Sequence, residues 1–120
     1  MATIDITEQN FAATLENNDI VFVDFWAAWC GPCRMFAPTY GAAAERHPDM
    51  TFAKVDTEAE QTLAAAAGIT SIPTLMAFKD KTLVFSRPGA LNAAGLEDVI
   101  QSVKNLDMNK LRADAARQQA

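Results

Sequence analysis

Apolar residues along the chain fall into short blocks whose spacing changes from strand-like to helical. The clearest block is Ile20 to Trp26, apolar throughout except for Asp24, the pattern of a strand buried on both faces. Thr3 to Ile6 reads as a shorter strand before it. Thr7 is expected to cap a helix in which Phe11 and Leu15 share one face and Asn17-Asn18 mark the end. A long helix is predicted from about Cys33 to Arg46, with Phe36, Tyr40 and Ala43 or Ala44 as its inner stripe. Pro32 suits its first turn, where a missing N–H costs nothing. Pro38 lies inside it and is expected to kink it, freeing the carbonyl of Arg34, and His47-Pro48 closes it.

Thr51 to Asp56 is a second central strand. Thr57-x-x-Glu60 reads as a capping box, with Gly68 as the stop of the helix it opens. Thr74 to Lys79 and Thr82 to Arg87 form a hairpin joined at Asp80-Lys81; the turn lacks the glycine favoured by type I′, so its type stays open. Leu96, Val99, Ile100, Val103 and Leu106 make one helical stripe. The order is βαβαβ, then a hairpin, then a helix. That order predicts an α/β fold with a mixed five-stranded sheet and helices on both faces. Residues 1–106 form the expected domain. Residues 107–120 are a short C-terminal extension, either an extra helix or a frayed end.

The chain has 120 residues, ten Lys and Arg against fifteen Asp and Glu, and a net charge of −5. This balance gives no footprint for nucleic acid. No run of ~18 apolar residues suggests a transmembrane helix. Met1 to Asp5 lacks the basic start and apolar core of a signal peptide, so the cytoplasm is the expected location. The two cysteines lie too close together, and are too few, for a secreted disulfide scaffold. Four zinc ligands are not at hand either, since His47 is the single histidine. No metal is expected, and redox chemistry is the natural use of the pair.

Cys30 and Cys33 stand where a strand gives way to a helix. A helix N-terminus offers free N–H groups and partial positive charge, which favour a thiolate on the first sulfur. The thiolate attacks a disulfide, and a second thiol held nearby then attacks the mixed disulfide within the same molecule. Asp24 in its apolar strand is costly to ionise, which raises its pKa toward the range useful for proton transfer. The plainer reading is an aspartate satisfied by backbone N–H groups. Lys54 and Pro73 are unremarkable alone, His47 reads as a helix-end residue, and Met35 as packing or rim.

Phe25-Trp26-Ala27-Ala28-Trp29-Cys30-Gly31-Pro32-Cys33 resembles the active-site signature of the thioredoxins. Asp24, Lys54, Ile72-Pro73-Thr74 and Pro88-Gly89-Ala90 fall at functional positions of that family, and the likeness runs from about residue 4 to 106. It implies the thioredoxin fold and general reduction of protein disulfides, with no bound cofactor beyond a redox-active Cys30–Cys33 disulfide. Electrons would come from NADPH through a flavin-containing thioredoxin reductase, and the protein would act as a monomer on disulfide-containing clients. Cys30 would be the nucleophile and Cys33 the more buried resolving thiol. Asp24 would lie beneath Cys33 as proton acceptor and donor, with Lys54 modulating it. Pro73 would be cis and face the cysteines, presenting the Ile72 backbone to a client strand. Trp29, Gly31, Pro32, Gly89 and Ala90 would complete a shallow apolar groove. Ala28 and the Asp80-Lys81 turn depart from the common pattern. Two alternatives are a disulfide isomerase or oxidant of the same fold, and a binding subunit that lends its surface to a larger complex.

Overall fold

Strand β2 (Ile20–Trp26) is central because its neighbours on both sides are strands and both its faces are covered. A computed structural model describes residues 2–119, so Met1 and Ala120, the two ends of the expected domain and extension, lie outside the described residues. The other strands are β1 (Thr3–Asp5), β3 (Thr51–Asp56), β4 (Thr74–Lys79) and β5 (Thr82–Pro88). The helices are α1 (Phe11–Asn17), α2 (Gly31–Arg46), α3 (Gln61–Ala66), α4 (Ala93–Lys104) and α5 (Met108–Gln119). The sheet order is β1-β3-β2-β4-β5. β1, β3 and β2 run parallel, while β4 pairs antiparallel with β2 and with β5. The mixed five-stranded sheet agrees with the sequence pattern.

Alternation along β2 sorts its side chains between two cores. Ile20 and Phe22 pack with Phe36 and Tyr40 of α2, Phe52 of β3, and Leu96, Ile100 and Val103 of α4. Val21, Val23 and Phe25 face the other way, toward Phe11, Leu15 and Leu63 from α1 and α3. Phe22 stacks on Phe52 at 5.0 Å between ring centroids. Burying such a side chain contributes about 1.5–3 kcal/mol relative to leaving it exposed. The Tyr40 hydroxyl donates to the Ala53 carbonyl at 2.8 Å, so this deep phenol is satisfied. By the same alternation Asp24 shares the α2-facing side with Phe22.

Three local expectations need correction. Thr7 does not cap α1. Its N–H donates to Asn10 Oδ1 at 2.8 Å and its carbonyl accepts from Phe11 N, so a turn precedes a helix that starts only at Phe11. The capping box at Thr57 and Glu60 does not form. The Thr57 hydroxyl donates to the Trp26 carbonyl instead, and Glu60 accepts from the Glu8 N–H. Asp56 Oδ1 takes the N–H groups of Glu58 and Ala59, and α3 begins after Glu60. α2 starts at Gly31, earlier than Cys33, and continues through Pro38.

Other signals hold. Gly68, at φ +72°, ends α3 in a Schellman motif: its N–H reaches Ala65 O and that of Ile69 reaches Ala64 O. Asp80 and Lys81 both have positive φ, 53° and 64°, the requirement of a type I′ turn met without glycine. The C-terminal residues form helix α5. Its start is pinned by buried Met108, and Arg112 Nη1 donates to Asp80 Oδ2 at 2.6 Å. Lys79 Nζ donates to the carbonyls of Val103, Lys104 and Leu106 at 2.9, 2.8 and 2.9 Å, tying β4 to the end of α4.

Candidate active site

β2 ends at Trp26, a short loop follows, and α2 opens at Gly31. Cys30 is the N-cap of that helix, with extended backbone, and its Sγ accepts the Cys33 N–H at 3.3 Å. A sulfur thus occupies the place where a capping oxygen usually satisfies a free helix N–H. With Pro32 in the first turn, one fewer N–H needs a partner there. Both cysteines are free thiols, 5% and 3% exposed.

On the far side of Cys30 its thiol donates to the Ile72 carbonyl at 3.7 Å. The Ile72–Pro73 bond is cis, as the resemblance implied. Gly89, at φ +97°, donates its N–H to the Pro73 carbonyl at 2.7 Å, so the end of β5 is tied to the same turn. Side chains rarely adopt that φ, which accounts for glycine at this position. Ala90 follows, exposed.

Asp24 is 1% exposed, and neither carboxyl oxygen has a hydrogen-bond partner. Burial raises its pKa from 3.8 to about 6, partly opposed by the positive charge of Lys54. Lys54 is its register partner on β3, and the ammonium sits over the Trp26 ring, 4.8 Å from the centroid. Burial also pushes the Cys33 thiol up to about 11, helped by its hydrogen bond with Cys30 and by the negative charges of Cys30 and Asp24. The Asp24 charge is thus close enough to act on Cys33. Of the two readings of Asp24, the unsatisfied carboxyl is the one observed.

The expected recognition residues divide. Trp29, 66% exposed, and Ile72 line a shallow cleft of about 430 Å³, closed by Thr57, Glu58 and the Ile69–Ser71 segment. Gly31 and Pro32 lie on the helix side of the cysteines, and Gly89 and Ala90 beyond Pro73; none of the four lines that cleft. Glu58 was not foreseen: its Oε1 accepts from the Trp29 indole at 3.2 Å. Arg34 was not foreseen either: its Nη1 donates to the Ala28 carbonyl at 2.8 Å. Arg34 has no sequence signal beyond standing next to the motif, and Glu58, 29 residues from Trp29, has none. Met35 is rim, 77% exposed, and His47 caps α2 and bonds Glu97 at 3.0 Å, away from the cysteines. Among the described residues, no three His, Cys, Asp or Glu side chains converge on a metal position.

The thioredoxin family model matches residues 2–102. The chain belongs to the thioredoxin family. It is 51% identical over 119 residues to a protein named putative thioredoxin 2 from Streptomyces coelicolor, covering 99% of this chain and 89% of that one. A thioredoxin of Mycobacterium tuberculosis is 44% identical over 109 residues, covering 88% and 94%. Among solved structures, a mutant thioredoxin from Halobacterium salinarum superposes with a TM-score of 0.79 at 35% identity, covering 88% of this chain and 93% of that chain. A Plasmodium falciparum thioredoxin gives 0.77 at 33%, covering 83% and 97%. The protein is a dithiol–disulfide oxidoreductase of this family, and its function is reduction of protein disulfides. The family needs no bound cofactor, and the cysteine pair that does its chemistry is present. Among the described residues no helix is long and apolar enough to cross a membrane.

Proposed function

We propose that Cys30 is the attacking sulfur and Cys33 the resolving one in this thioredoxin-family reductase. The Cys30 thiolate attacks one client sulfur; a mixed disulfide forms and the other client sulfur leaves as a thiolate that takes up a proton. Cys33 then passes its proton to Asp24 and attacks Cys30 Sγ. The second client sulfur leaves as a thiolate and takes up the proton that Asp24 releases, so the client carries away two electrons and two protons while a Cys30–Cys33 disulfide remains. The carrying observation is the asymmetry of the pair. Cys30 Sγ already accepts a helix N–H, whereas Cys33 is buried, feels the negative charge of the unsatisfied Asp24 carboxyl and holds its proton. Such a thiol needs a nearby base, and Asp24 with a pKa of about 6 is matched to neutral pH.

Lys54 tunes that carboxyl. Trp29, Gly31, Pro32, Ile72, Pro73, Gly89 and Ala90 form the face on which clients lie. Electrons arrive from NADPH through a thioredoxin reductase, and the protein works as a monomer in the cytoplasm without nucleic acid or membrane. Residues 1–106 carry the redox domain, and 107–120 are a short C-terminal extension. The test is a Cys33→Ser variant exposed to a protein disulfide. Trapped adducts through Cys30, released by reductant, support the assignment; adducts through another residue, or none, contradict it. Partners that stay bound after reduction would favour a binding subunit instead.

A further inference from the structure

Arg34 brings a fixed positive charge to the rim of the cysteine pair. It lies in the first turn of α2, is exposed, and its N–H donates to the Cys30 carbonyl at 3.1 Å. The guanidinium folds back along the loop, and Nη1 donates to Ala28 O. Its Nη2 would lie 3.9 Å from a Cβ built on Gly31, so it flanks the residue next to Cys30. One of five N–H donors is used in that bond, which leaves the planar fork able to bind a carboxylate. Among the described residues its guanidinium makes no ion pair; the ion pairs involve Arg46, His47, Arg112 and Arg117. Across the loop, Glu58 holds Trp29 and supplies the opposite charge. The chain as a whole, at −5, repels acidic partners.

From this placement we infer that Arg34 is a specificity-determining residue: it favours clients with a carboxylate beside their disulfide, on the Gly31 side of Cys30. The inference rests on the disulfide-reductase reading above. The bond to Ala28 O holds the guanidinium in place, so little side-chain freedom is lost when the client carboxylate arrives.

The test uses the full chain, reduced beforehand, and two disulfide peptides that differ only in Glu or Gln next to one cysteine. Single-turnover rate constants for each peptide avoid any dependence on a reductase. Arg34→Gln is expected to lower the Glu-to-Gln rate ratio about fivefold at low salt, the size of one exposed ion pair. Arg34→Lys, which keeps the charge but lacks the fork, should restore only part of the ratio, and ~1 M salt should erase the difference between variants. A ratio unchanged in Arg34→Gln, even with both rates lowered together, would reduce Arg34 to holding the loop and overturn the inference. Failure of the unaltered protein to reduce either peptide would instead sink the reductase reading, and this inference with it.

Discussion

Asp24 and Lys79 are both charged residues drawn into one sheet, four places apart along β2 and its partner strand, yet their surroundings are opposites. Lys79 stands opposite Ile20, and its ammonium has three donors and three carbonyl acceptors, all within 2.9 Å. Asp24 is more deeply buried and has no hydrogen-bond partner on either oxygen. A charge placed for stability is surrounded by partners, because an unpaired buried charge opposes folding. A buried carboxyl with no partner on either oxygen opposes folding once ionised, which is the opposite of what the Lys79 cluster does. The Lys79 end of the sheet fastens the end of α4; the Asp24 end leaves a carboxyl without partners.

The largest effect separates the two ends. Cys30→Ser should abolish disulfide reduction, because a hydroxyl supplies no thiolate at neutral pH. A turnover assay with a protein disulfide checks this, and residual activity above about a thousandth would break the assignment. Next, Asp24→Ala should slow resolution of the mixed disulfide by about 10²-fold, the loss expected of a missing proton acceptor. Rapid-quench capture of the mixed disulfide measures that step. Lys79→Met inverts the pattern: turnover should hold, while three carbonyls lose their shared donor at a cost of about 2–3 kcal/mol. Denaturant unfolding and turnover of the same sample test both halves. Smallest is Glu97→Gln on the surface between α2 and α4. The hydrogen bond from His47 holds the Glu97 carboxyl at about 2, below its usual 4.5. Its contribution is thus present above pH 4.5 and lost as pH falls through 2, and the variant's small deficit in denaturant midpoint should fade over that range.

Much of this was legible because it is local or periodic. A lone carboxylate in Ile20–Trp26 stands out in any apolar run, and the stripe Leu96, Ile100, Val103 needs only helical spacing. Gly68 ended its helix where a glycine should. Thr7 failed locally, drawn into a turn by Asn10, whereas most other contacts that were not legible have a partner far along the chain. Thr57 and Glu60 have capping-box spacing, but Trp26 and Glu8 claim their side chains from 31 and 52 residues away. The Lys79 carbonyl cluster lies 24 to 27 residues downstream, and Glu58 reaches Trp29 across 29. Within the candidate site the motif disclosed the sulfurs, and the apolar setting disclosed the strain on Asp24. Arg34 follows the motif directly and carries no signal of its own, because a charged residue on a helix is ordinarily a solvated one.

The proton-transfer role of Asp24 requires an unsatisfied carboxyl, and its effect on stability across pH tests that most directly. Folding raises its pKa from 3.8 to about 6, so the native state keeps the proton longer than the unfolded chain. Below 3.8 both states are protonated and nothing is lost. Between 3.8 and 6 the unfolded state ionises first, and stability falls as pH rises. At 1.36 kcal/mol for each pH unit across that interval, the fall is about 3 kcal/mol in all, level above 6. The Cys33 thiol titrates well above this window. Denaturant melts of the unaltered protein and Asp24→Ala, from pH 3 to 8 (roughly a unit beyond the Asp24 values at the acid end and two at the other), should therefore diverge. The variant should gain relative stability from pH ~4 to ~6 and hold the gain beyond. Parallel curves, or a variant less stable throughout, would make Asp24 a well-paired structural carboxylate and contradict the proton-transfer role.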